Sequence, residues 1–174
     1  MFPFFNPEKH KFFWYNESQI YDIAGETFAA IPLVWNKSFD ICIMVTPRLQ
    51  PPALELSLLP SFPGERVYYM GFPRGIGGGK FVPIFEGFFL GEKRSFMDKN
   101  IWMYGYSFPI APGSSGSAVL NSEGDLVGMI HSYQPKFDNI GYGATHKQIK
   151  TTLKIADEIY KNEKKTFHKE LNLE

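Results

Sequence analysis

Cysteine is nearly absent: Cys42 is the only one in 174 residues. That excludes an internal disulfide and any multi-cysteine metal site. It also removes any argument for an oxidising compartment. Charge imbalance is absent too, with 18 Lys and Arg set against 18 Asp and Glu. No general electrostatic attraction therefore draws the chain to nucleic acid or to an anionic membrane. No apolar run approaches the roughly 18 residues that a membrane-spanning helix needs. The opening stretch, MFPFFNPEKHKFF, has no basic segment followed by a long apolar one, so no secretory leader is read there. The expectation is a soluble, cytoplasmic protein with no membrane or nucleic-acid partner, unless the chain is a processed or truncated product. Four scattered histidines and one cysteine give no zinc spacing, and no cofactor is expected.

What the chain does have is aromatic residues, at 17%, with 16 Gly and 13 Pro spread along it. Short runs such as Phe12-Phe13-Trp14-Tyr15 and Phe85-Glu86-Gly87-Phe88-Phe89 alternate with turn residues. This composition suits an all-β protein of short strands. Ile20–Ile23 and Thr27–Trp35 form a predicted hairpin around Ala24-Gly25-Glu26. Asn36-Lys37-Ser38 turns the chain into an apolar strand at Ile41–Val45, where Cys42 reads as a core residue. Residues 47–63 are proline-rich and read as a connector. A second block of strands follows from Gly64. Residues from 147 to about 165 then change to helical spacing, with Ile149, Leu153, Ala156, Ile159 and Tyr160 on one face. Thr145 and Gln148 make a capping-box start. The expected organisation is a partial barrel over 1–46, a connector over 47–63, a second barrel over 64–146, and a helix with a tail over 147–174.

The segment Pro112-Gly113-Ser114-Ser115-Gly116-Ser117-Ala118-Val119-Leu120 carries the most chemistry. Glycines flank a serine pair, and glycine allows the φ > 0 conformations that turn backbone amides toward one point. A hairpin turn, Asn121 to Asp125, and a return strand, Leu126 to His131, follow. The whole run, PGSSGSAVLNSEGDLVGMIHS, resembles the nucleophile region of trypsin-like (chymotrypsin-fold) serine peptidases, nearest to the HtrA-like and glutamyl-endopeptidase-like bacterial branches. GERVYYMGFPRG, FEGFFLG, DICIMV and NIGYGATHKQIKTTL resemble further parts of that family. The resemblance implies two packed antiparallel β-barrels, the first abbreviated, with a C-terminal α-helix. It implies that Ser115 is the nucleophile and that the amides of Gly113 and Ser115 form the oxyanion hole. Asp40, opening its apolar strand, takes the place of the family's aspartate.

His10 is the only histidine upstream of Asp40. Its separations from Asp40 and Ser115 fall in the HtrA-like range, but Asn6-Pro7-Glu8-Lys9-His10 is polar and turn-like. Either His10 is the base in a shortened barrel, or the chain begins downstream of the base. By the same resemblance His131 lies where glutamyl endopeptidases bind an acidic P1 side chain, although Met129-Ile130 intervene after Gly128, one residue more than in that branch. Tyr142, on the last strand, lines the same pocket on this reading.

The loop Gly75-Ile76-Gly77-Gly78-Gly79-Lys80 lacks the glycine and the Ser or Thr of a phosphate-binding loop, and so reads as a rim or connector. The function expected is a serine endopeptidase acting on proteins or peptides through an acyl-enzyme on Ser115. The alternative is a catalytically inactive or truncated trypsin-like domain used for binding. In either case an open first barrel offers strand edges to a pairing partner.

Overall fold

The computed structural model describes residues 18–21, 26–46, 53–76, 81–96, 98–134, 137 and 139–170. His10 and the expected strand Phe12–Tyr15 lie outside them. Three strands come first: β1 (Ser18–Tyr21), β2 (Thr27–Asn36) and β3 (Ile41–Val45). They pair antiparallel in the order β1-β2-β3. The turn from β2 to β3 is fixed by Asn36, whose main-chain and side-chain oxygens both accept from the Phe39 amide, at 3.2 and 3.3 Å. Asp40 ends this turn with φ at 54°. Aspartate tolerates that left-handed conformation better than most residues, because its short polar side chain bonds locally.

Six more strands close on themselves. β4 (Arg66–Met70), β5 (Ile84–Arg94), β6 (Trp102–Tyr106), β7 (Ala118–Leu120), β8 (Leu126–Tyr133) and β9 (Gly141–Ala144) form a closed barrel in the order β4-β5-β6-β9-β8-β7. Closure removes free edges and fills the interior with alternate side chains. Val67, Tyr69, Phe89, Tyr106, Val119, Val127 and Ile130 are all buried inside. Aromatic contacts such as Tyr69–Phe108, edge to face at 4.9 Å, knit that core. Gly128 is required here, since the Tyr106 hydroxyl stands where a Cβ would go.

The helix α1 (His146–Glu170) locks the three-stranded sheet to the barrel. Its start is the expected capping box. The Thr145 amide donates to Gln148 Oε1 at 2.7 Å, and the Gln148 amide donates to Thr145 Oγ1 at 3.3 Å. Gln148 also donates to the Trp102 carbonyl at 2.8 Å, which ties the helix to β6. Ile149 packs with Ile41 and Ala144, while Ala156 packs with Ile31 and Leu33. The buried helical face differs from the expected one at a single step. Thr152 is fully buried and receives a 3.4 Å hydrogen bond from Asn36, whereas Leu153 is exposed. Asn36, at the base of the turn that ends in Asp40, is thereby attached to the helix.

Two further differences are local. Cys42 is exposed rather than in the core, because β3 buries only alternate residues. The connector is partly pinned: the Ser57 amide donates to Leu126 at 3.0 Å, and His146 Nε2 donates to the Ser57 carbonyl at 2.5 Å.

Candidate active site

The loop before β7 is built by backbone hydrogen bonds that consume most of its amides. Ser114 N–H donates to Ala111 at 3.0 Å, Gly116 N–H to Ile130 at 2.7 Å, and Ser117 N–H to Ser114 at 3.1 Å. The amides of Gly113 and Ser115 are different. Among the described residues neither has a protein acceptor. Gly113 has φ at 98° and Gly116 at 87°. A Cβ at Gly113 would stand 2.5 Å from the Phe72 carbonyl, so only glycine fits that close approach. The loop is tied to the 3-10 turn Pro73–Gly75 by the Arg74 amide, which donates to Pro112 at 2.6 Å.

The two adjacent serines have opposite environments. Ser114 is fully buried, with its Oγ accepting from the Ala111 amide at 3.4 Å. Ser115 is exposed at a cleft of about 410 Å³ that is also lined by Ile110, Gly113, Ile130, His131 and Tyr133. Its Oγ donates to the main-chain carbonyl of His131 at 3.2 Å. Ser115 is therefore the serine that a substrate can reach, with two uncommitted amides beside it.

His131 sits at a register break between β8 and β9, where Ile130 pairs with Gly143 and Ser132 with Tyr142. Such bulges re-aim a side chain. The half-buried imidazole lines the Ser115 cleft and also a smaller cavity of about 50 Å³ shared with Asp40. Burial holds its pKa below the ordinary histidine value, and the Asp40 carboxylate draws it partly back up. Asp40 itself is exposed, at the end of its turn.

The structure thus brings Ser115, Gly113 and His131 to one cleft, and His131 and Asp40 to a second, smaller cavity. Tyr142 is not among the residues lining the Ser115 cleft. It is buried on β9, edge-on to Phe96 at 5.7 Å, with Lys93 Nζ 4.6 Å from its ring centre. That His131 and Asp40 line one cavity is the relationship that sequence reasoning missed. Its only signal was the extra residue between Gly128 and His131. Among the described residues no cluster of His, Cys, Asp and Glu could hold a metal ion, and no helix is long and apolar enough to cross a membrane.

The trypsin-like peptidase domain family matches residues 10–129, a span that takes in His10, Asp40 and Ser115. The chain belongs to that family. No curated protein sequence matches it. Among solved structures, it is similar to the active form of the Rv3671c protease from M. tuberculosis. The TM-score is 0.70 at 20% identity, covering 81% of this chain and 63% of that one. The HtrA-type protease AlgW, solved with a tripeptide, gives a TM-score of 0.67 at 18% identity, covering 78% of this chain and 46% of that one. A serine endoprotease from Yersinia pestis gives 0.66 at 15% identity, covering 79% and 47%. These likenesses show the shared chymotrypsin-like fold. The chain spans less than two thirds of the length of each of these three proteins.

Proposed function

We propose that this chain is a serine endopeptidase that cleaves proteins or peptides through an acyl-enzyme on Ser115. The observation that carries the reading is the contrast within the serine loop. Ser115 is exposed at a cleft while Ser114 is buried, and the amides of Gly113 and Ser115 are spared for an incoming acceptor. Membership of the trypsin-like peptidase family supports it.

Ser115 Oγ attacks the scissile carbonyl as its proton passes to a histidine base. The two spared amides receive the oxyanion, the kind of preorganised contact that stabilises developing charge most effectively. Collapse of the tetrahedral species expels the amine, which takes the proton from the base. Water then repeats the sequence on the ester and frees Ser115. His10 is the sequence's choice of base, and Asp40 is the carboxylate that orients it. The chemistry needs no cofactor.

The bond from Ser115 Oγ to a main-chain carbonyl, an acceptor that cannot take up the proton, favours a second reading as a peptide-binding domain without activity. Labelled casein distinguishes the two. Cleavage by the wild type, lost in Ser115→Ala, supports the peptidase. A folded wild type that binds but never cleaves supports the binding domain.

A further inference from the structure

Side chains alternate along β5, so Lys93 leaves the sheet on the face opposite Glu92 and Arg94. Arg94 lies over the Trp102 ring at 4.0 Å. Lys93 goes the other way, onto two aromatic rings. Its Nζ stands 3.6 Å from the ring centre of Phe96 and 4.6 Å from that of Tyr142. The two rings meet edge to face at 5.7 Å and so form a two-sided seat. Tyr142 is buried beneath, Lys93 is half-buried, and Phe96 is exposed. Tyr142 pairs across the sheet with Ser132, and Ser132 lines the Ser115 cleft. The ammonium is therefore one strand spacing and one tyrosine ring away from the cleft wall, a distance that about three residues of extended peptide span.

We propose that Lys93 is a specificity-determining residue: its ammonium, seated on Phe96 and Tyr142 beside the cleft, takes the carboxylate of an acidic substrate side chain a few residues from the scissile bond. The proposal deepens the peptidase reading above and rests on it.

Three observations support it. The charge of Lys93 is not spent within the protein. Among the described residues it forms no ion pair; the ion pairs there join Arg66 to Glu86 and Lys161 to Asp157. Asp98, on the same hairpin, accepts from the Asn100 amide at 2.8 Å instead. The seat holds the ammonium without neutralising it. A ring face attracts a cation through its quadrupole, and the N–H groups turned away from the rings stay free to donate. A side chain already held in this way loses less freedom when a carboxylate arrives. Finally, no acidic side chain of the described residues lines the Ser115 cleft, so nothing there repels an incoming carboxylate or competes for Lys93. His131 is the weaker partner for an anion, because burial disfavours its charged form. Tyr142 thus serves substrate binding as the seat of a lysine rather than as a pocket wall.

The test uses the full chain. Bonds cut in casein are located by mass spectrometry, and quenched fluorescent peptides are built around one of them. A single Glu is then moved through the four positions on each side of the bond, with Gln at the same place as the control. The wild type is expected to favour Glu over Gln in kcat/KM at one position, by up to about fivefold. Lys93→Met keeps the apolar stem, and is expected to bring that ratio to about one. Lys93→Glu is expected to invert it and to favour Lys at the same position. Added salt is expected to shrink the wild-type ratio. A ratio that survives Lys93→Met, or a loss spread evenly over all the peptides, overturns the specificity role and leaves the peptidase reading standing. A folded wild type that cuts nothing overturns the peptidase reading. Binding of dye-labelled Glu and Gln forms of a casein peptide to Ser115→Ala, with and without Lys93→Met, then decides the role of Lys93. Tighter binding of the Glu form that depends on Lys93 supports it, and equal binding, or none, overturns it.

Discussion

Ser115 Oγ donates a hydrogen bond to the main-chain carbonyl of His131 at 3.2 Å, and so the hydroxyl is held toward β8 in the cleft that both residues line. An amide carbonyl orients a hydroxyl but is far too weak a base to take its proton near neutral pH. On the proposed peptidase reading, reaction at Ser115 therefore requires the proton to be redirected to an imidazole as substrate enters.

The serine pair gives the first expectation. Ser115→Ala should abolish casein cleavage and fluorophosphonate labelling with little change in stability, because the side chain is exposed. Ser114→Ala should do the reverse. It should keep labelling while lowering the unfolding free energy by about 1 kcal/mol, through loss of a buried hydrogen bond. Urea melts of both variants, run beside the labelling assay, check this.

Gly113 should tolerate no side chain. Alanine there meets a φ of 98° and the Phe72 carbonyl together. The expected cost is about 1–3 kcal/mol of stability. Displacement of the amide should also lower the labelling rate by about a hundredfold or more. Gly116 also has positive φ, but its Cβ would meet open space. Gly116→Ala should therefore cost stability through backbone strain alone.

The pH dependence of stability has a definite sign. Burial keeps the folded-state pKa of His131 below its unfolded value, so the unfolded chain accepts a proton that the folded chain resists. Stability should be level above the ordinary histidine pKa of about 6.5. It should fall as the pH drops below that value, and level off again once the folded chain is protonated too. Asp40→Asn removes the charge that draws the pKa back up, and should deepen the fall. His131→Gln should make it shallower. Urea midpoints taken from about pH 7.5 down to about pH 5 read all three.

The helix cap offers a purely structural check. Gln148 accepts from Thr145, donates to Trp102, and joins the helix to β6. Gln148→Ala should cost about 1–2 kcal/mol. Because α1 packs on β2 and β3, the loss should also loosen the hairpin that carries Asp40. Hydrogen exchange at the amides of β2 and β3 should quicken in step.

Much of this was legible in the chain. Short apolar and aromatic runs set between turn residues marked β2, β3 and the barrel strands. The Thr145 and Gln148 spacing marked the helix start, and the glycine-flanked serines marked the loop. What escaped notice depends on surfaces that meet only after folding. Cys42 lies in an unbroken apolar run, and its exposure follows from a sheet that buries alternate residues. Thr152 rather than Leu153 is buried, and its partner Asn36 is far away in sequence. His131 was legible as a histidine at the end of a strand and, by resemblance, as a candidate for the P1 pocket. Its place in one cavity with Asp40 comes from a register break and from the packing of two units, neither of which leaves a periodic trace.

The central claim is that Ser115 is a usable nucleophile, and the most direct test is mass spectrometry of the full chain after exposure to a fluorophosphonate. One adduct per chain, located on the peptide containing Ser115 and absent from Ser115→Ala, is the expected result. An adduct elsewhere, or none on a chain shown to be folded, would contradict it.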